Sequence, residues 1–390
     1  MTFLEAYDQD LLSEGGNAPQ PTLQAGGSYT SFVPQVALAT HIRPLQFNGF
    51  GVSSFRYYPA FSQALATNYN IGGGVSAKAG RRTSMSANAG INYAPTPLYA
   101  LFAGSATATA TPPDASATAA AESQVDSLRS YTSTTSVALE QTLNRRVALT
   151  ALGNVSRTQF FRQSPGFTNM ESSDAGGRVT VTASRHVNLR FGFVQRVASY
   201  SEELRTSEQD LEVGVAVTKE LSATRRLTFG VNLGPTASQI GPAVGRQFLL
   251  TGDAFIERQI GRSWTARSTY RRGVTYVGGL AGPAYTDTAT VEAGGFLNRH
   301  VDVSASGAFA SGRIASQLPT GAKFTSFMAF ATLRYGLSRA WAVHIEGLFY
   351  DYQFDLRAIS LPGVPDRTTR SGVRAGLTML LPLRADRVAR

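Results

Sequence analysis

An arginine-centred turn recurs through this chain at nearly constant spacing. It falls at Arg43, Arg81, Arg145, Arg185, Arg225, Arg262, Arg299 and Arg339, with gaps of 38, 64, 40, 40, 37, 37 and 40 residues. A fixed period of that size implies one supersecondary unit per repeat. The clearest copies read Arg178-Val-Thr-Val-Thr-Ala-Ser, Arg185-His186, Val187-Asn-Leu-Arg-Phe-Gly-Phe, and Leu211-Glu-Val-Gly-Val-Ala-Val-Thr, Arg225-Arg226, Leu227-Thr-Phe-Gly-Val-Asn-Leu. Apolar residues take every second position, with Thr, Asn, Gly, Arg or Glu between them. That is the period of a strand with one apolar and one polar face. Each unit is therefore a β-hairpin and the chain an array of them. The long gap holds an Ala/Thr/Pro-rich insertion over 103–122.

Propeller blades share this period but use four short strands each; the strands here are too long. The chain has 390 residues, no Cys, 38 Gly and only 16% charged residues, with mean hydropathy −0.09. Length alone permits two or three soluble domains, yet no linker or composition shift divides it. No apolar run reaches the roughly 18 residues of a membrane helix. Alternating strands at neutral hydropathy instead match a transmembrane barrel, in which lipid-facing and lumen-facing residues interleave. The fold expected is all-β, a single antiparallel up-and-down transmembrane β-barrel over 1–390.

Expected hairpins pair 22–38 with 46–58, 68–79 with 83–94, 128–143 with 147–158, and 175–184 with 187–201. They continue with 208–221 and 227–236, 248–260 and 264–276, 286–297 and 301–311, and 324–337 and 341–354. Eight hairpins give sixteen strands; a first strand near Thr2 and a closing strand over 369–383 make eighteen. Sixteen remain if the first is only a tail. An even count lets the two ends pair antiparallel. Short turns belong on the periplasmic side and longer loops outside. The first outer loop is placed at 8–20, the longest at 95–126, and a basic periplasmic tail at 384–390. Loop 95–126 is too rich in small residues to form a core; it either extends outward or folds in as a constriction. Residues 1–20 lack the basic start, apolar stretch and cleavage site of a signal peptide, so a mature N-terminus is expected near residue 1.

The net charge of +10 comes almost wholly from Arg, since only Lys78, Lys219 and Lys323 are Lys. Arg81, Arg82, Arg145, Arg146, Arg225 and Arg226 cluster in the short turns. They form either a basic rim facing inner-leaflet phosphates, to which Arg is suited, or solvated turn residues. Nucleic acid is not an expected partner, because binding it calls for aromatics interleaved with the charges.

Alternation assigns faces. It turns inward Arg178, Arg190, Arg196, Arg226, Arg267, Arg271, Arg334 and Arg374, together with Glu212, Asp253, Glu257, Glu292, His344 and Glu346. Asp210, Glu220 and Asp302 join them. The two signs nearly balance, unlike the one-signed ring of a strongly selective pore. Trp264 and Trp341 are expected in the membrane-interface girdle beside the short turns, and Tyr57, Tyr276 and Tyr352 in the girdle at the far strand ends. His41, His186 and His300 fall in separate turns and make no metal site. His344 has no nucleophile at a fixed spacing to make a hydrolase. Gly72-Gly-Gly lies within a strand and lacks the Lys-Ser/Thr of a phosphate loop; close approach in the wall is the simpler reading. No cofactor, metal or catalysis is expected.

The serial turns Gly80-Arg81-Arg82-Thr-Ser-Met-Ser-Ala, Asn144-Arg145-Arg146-Val-Ala-Leu-Thr-Ala and Asn298-Arg299-His300-Val-Asp-Val-Ser-Ala resemble those of bacterial outer-membrane β-barrel proteins. With Phe55-Arg56-Tyr57-Tyr58-Pro59 and Glu5-Ala6-Tyr7-Asp8, the pattern is similar to porin-like barrels that accompany exopolysaccharide export. The resemblance implies a passive outer-membrane channel for small polar solutes or envelope polysaccharide. Its alternative is a structural barrel without an open pore, anchoring an envelope export complex. Implied partners are outer-membrane lipids, the barrel-assembly machinery and such a complex.

Overall fold

A computed structural model describes residues 1–13, 24–42, 44–59, 64–94, 124–125, 130–161, 168–200, 204–222, 224–241, 245–276, 282–314, 323–355 and 367–381. The strands are β1 (Thr2–Ser13), β2 (Gln24–Val33), β3 (Gln35–Ile42), β4 (Leu45–Tyr58), β5 (Ala64–Ala79), β6 (Thr83–Ala94) and β7 (Gln124–Val125). Next come β8 (Ser130–Thr142), β9 (Val147–Phe160), β10 (Met170–Thr182), β11 (Val187–Tyr200), β12 (Leu204–Ser222), β13 (Arg225–Ile240) and β14 (Gln247–Ile260). The last are β15 (Trp264–Thr275), β16 (Ala284–Phe296), β17 (Val301–Ile314), β18 (Lys323–Gly336), β19 (Trp341–Phe354) and β20 (Arg367–Met379).

The long strands follow one another antiparallel, and β20 returns to β1 with Thr2 opposite Thr378 and Asp8 opposite Gly372. The sheet therefore closes on itself, so that among the described strands only β3 keeps a long unpaired edge. Segments β2 and β3 are one stave broken at Pro34, which lacks the N–H a ladder needs. The Pro34 carbonyl still accepts from the Ser53 amide at 3.0 Å. Two-residue β7 lies parallel to the end of β1. With β2 and β3 taken as one and β7 set aside, the barrel has eighteen staves, as the hairpin arithmetic requires.

Four expectations change. Asp8–Ser13 continue the first strand rather than opening a loop, and Pro34 divides the stave expected over 22–38. Segment β7 adds a strand inside the long insertion; the rest of that insertion, Arg43 and the tail 382–390 lie outside the described residues. All eight residues of β3 are exposed, and its second edge pairs with no described strand. Finally, arginine does not tie the turns. Asn144 Oδ1 accepts from the Arg146 and Val147 amides at 2.8 and 2.9 Å, and Asn298 Oδ1 does the same for His300 and Val301. Ser184 and Ser338 hydroxyls occupy the same place. The side chain before the Arg bonds the backbone two residues on, as short polar side chains do; Arg145, Arg185, Arg299 and Arg339 are exposed.

Candidate functional site: the concave face of the barrel

Residues opposite one another in the register share a face. One face carries Phe3, Ile71, Ile91, Leu211, Val291 and Ile345, all large, apolar and exposed. The other carries the charged positions. Contact between non-adjacent strands identifies it as the concave one: the Tyr276 hydroxyl, just past β15, donates to Glu208 Oε2 on β12 at 3.1 Å. Only the inside of a curved wall brings such side chains together. Alternation and closure thus produce an oily exterior and a polar interior from one chain.

The concave face has two arcs. From β10 round to β20 it is charged. Arg178 and Glu212 stand on either side of Gly192 in the register, and their 2.7 Å ion pair passes over the glycine. A β-carbon at Gly192 would stand 3.0 Å from Glu212 Oε2, so any larger side chain displaces the bridge. Arg196 binds Glu208 at 2.7 Å and Asp210 at 3.4 Å; its guanidinium lies 5.8 Å from the Tyr276 ring centre. Glu208 is 1% exposed, so its charge depends on that arginine. Arg267 lies between Glu257 and Glu292 in the register, and Arg271 opposite Asp253. Arg334 grips Asp302 with two nitrogens, Nε to Oδ1 at 2.9 Å. His344 Nε2 is 3.9 Å from Glu346 Oε1, and Arg374 faces Glu346 across β19 and β20, its guanidinium 6.0 Å from the Tyr29 ring centre. Arg226 reaches Glu220 at 3.6 Å near the short-turn end. Arg190 stands between Thr180 and Gly214.

From β5 to β9 the same face is neutral. Its positions are chiefly Asn, Ser, Thr and Gly, among them Asn70, Asn88, Asn92, Thr134, Ser136 and Asn154. Lys78 and Glu140 are the charges among the described positions of this arc, and both lie toward the short turns. Hydroxyls bond across strands here, as Thr132 does with Thr158 at 3.0 Å.

In the register, all seventeen residues assigned inward by alternation stand on this face. The aromatic assignments divide. Tyr57, Trp264 and Trp341 project from the convex side, and the Trp264 indole donates to the Phe296 carbonyl at 3.0 Å. Tyr276 and Tyr352 do not belong to the girdle: Tyr276 bends inward to Glu208 and Tyr200, and Tyr352 is buried on the concave side next to Tyr350. Position along a strand shows height; parity decides the face of Tyr352, whereas Tyr276 stands just past the end of β15, where parity no longer holds it. Alternation also missed Arg56, Asp174 and Glu208. Around Arg56 the apolar residues Phe50 and Val52 point inward and are buried, so the strand's pattern is inverted there. The row linking Asp174, Arg196 and Glu208 would have revealed the other two.

No protein-family model and no curated protein matches the chain. Among solved structures it is similar to Pseudomonas aeruginosa OccK9 (OpdG), at TM-score 0.46 and 9% identity over 97% of each chain. Acinetobacter baumannii OccAB2 superposes at TM-score 0.45 and 9% identity, over 96% of this chain and 95% of that one. Pseudomonas aeruginosa OccK2 (OpdF), crystallised with glucuronate, superposes at 0.44 and 11% identity, over 97% and 98%. At such identity and superposition these likenesses bear no weight. The reading of fold and function rests on this chain's own strands.

Proposed function

We propose that this protein is an outer-membrane channel through which small polar solutes pass passively. The observation behind the reading is a closed barrel of eighteen staves that is apolar outside and lined with amides, hydroxyls and paired charges inside. Barrels of 16 to 18 strands leave an aqueous lumen rather than a packed core. The short turns face the periplasm and the longer connections the exterior, with outer-membrane lipid around the apolar wall. Passage of polysaccharide draws no support, and no catalytic step is assigned. Purified protein in a planar lipid bilayer should carry a persistent ohmic current. A second reading, a structural barrel without an open pore, is favoured by the depth of burial of Arg374, Glu208 and Tyr29 on the concave face. Silence across many insertions would favour that scaffold and remove the channel.

A further inference from the structure

Where the neutral arc meets β3 and β4 there is a pocket that the charge pairs leave unused. About 650 Å³ in volume, it takes its polar lining from His41, Gln46, Asn48, Ser76, Ser86 and Asn88 on β3 to β6, with Phe47 and Val75 among its apolar wall. Gly74 lies between two of these residues: the amide oxygens of Asn88 and Asn48 lean over it, that of Asn48 being 2.8 Å from where a β-carbon would stand. Gly74 is opposite both residues in the register, so the amides converge from the two neighbouring strands. The Gly72-Gly-Gly run of β5 thus has a use, keeping the wall low where two amides meet.

We propose that this pocket is a binding subsite for a neutral polyhydroxylated solute, a sugar or polyol, which deepens the channel reading and rests on it. A sugar hydroxyl both donates and accepts. It can donate to the Asn48 and Asn88 carbonyl oxygens and to the oxygen of Ser76, whose own hydrogen goes to Gln46 Oε1 at 3.4 Å, and accept from amide N–H and from the Ser86 hydroxyl. No Lys, Arg, Asp or Glu lines the pocket. A charged solute entering it gives up hydration without gaining a counter-charge, whereas a sugar exchanges water hydrogen bonds for equivalent ones. The volume lies within the range of small-ligand pockets.

Maltose is the probe, added on the short-turn side of a bilayer carrying single channels of the full chain. The unsubstituted protein should show maltose-dependent interruptions of the salt current. Asn88→Ala and Gly74→Ala should each raise the half-blocking maltose concentration at least about tenfold, the loss of roughly one or two hydrogen bonds. Salt conductance should stay within about twofold, and free glutamate should block neither variant differently from the parent. Heat-modifiable gel mobility confirms that each variant is folded, with Asn88→Ser as the milder substitution. Equal maltose block in parent and variants, or a steady salt current indifferent to maltose, overturns the subsite while leaving the channel standing. Absence of any salt current overturns the channel. Calorimetry of maltose on detergent-solubilised protein then decides the subsite separately, binding lost in the variants supporting it and no binding to the parent ending it.

Discussion

A single register row crosses both arcs: Asn48, Gly74, Asn88, Ser136 and Asn154, then Asp174, Arg196 and Glu208. Up to Asn154 the row is neutral and bonds locally, through amides and hydroxyls. Beyond it charges alternate in sign, and each is held by a neighbour, with Tyr276 also reaching Glu208 from three strands away. The seam is one hydrogen bond, Asn154 Nδ2 to Asp174 Oδ1 at 3.0 Å. The backbone is the same on both sides, so the contrast lies only in what the concave positions carry. A buried charge makes its neighbours indispensable, because a partner left alone must be desolvated without compensation. A wall of amides and hydroxyls tolerates change, since each group loses only a modest net bond.

The sharpest way to break this contrast is Arg196→Met, which strands Glu208 in a site 1% exposed. It should destabilise the barrel by about 3–5 kcal/mol, read as urea unfolding in detergent. Asn88→Ala in the neutral arc should lose only about 1 kcal/mol; equal losses would mean the arcs do not differ. Next in size is Gly192→Leu, which occupies the space the Arg178–Glu212 bridge crosses. A loss of about 1–3 kcal/mol is expected, and a variant as stable as the parent would show that the bridge does not depend on the gap.

Asn144→Ala and Asn298→Ala test whether the turns ignore the difference. Each removes two backbone hydrogen bonds, one in each arc, and each should lose roughly 0.5–1.5 kcal/mol. Arg145→Ala, at an exposed position, should do almost nothing; a larger effect than Asn144→Ala would restore arginine as the tie. Small again in stability is Arg334→Gln, whose exposed pair with Asp302 is worth at most about 1 kcal/mol. Its effect should appear in bilayer reversal potentials, which move toward cation preference as a fixed cation leaves the lumen. A shift the other way contradicts the placement of Arg334 inside.

Much of this was legible before any coordinates. The turn period set the hairpins, and strands β6 and β19 begin and end where alternation placed them. The faces of Arg178, Glu212, Arg267 and Glu346 followed from the two-residue repeat of a pleated strand. Less legible was the pocket over Gly74, since nothing in a run of glycines says which side chains will lean across it. Tyr352 was misplaced because a strand end shows height and not direction, and Tyr276 because it lies just past β15, where alternation no longer fixes a side chain.

By itself the sequence determined where the wall turns and the two-residue repeat that sorts most charged residues to one face, since both are periodic properties of a local backbone. Which side chains meet was decided only by the closed sheet. Arg178 and Glu212 are 34 positions apart, and Tyr276 and Glu208 are 68 apart. Strand register and wall curvature bring those atoms together, and neither is written in any one strand.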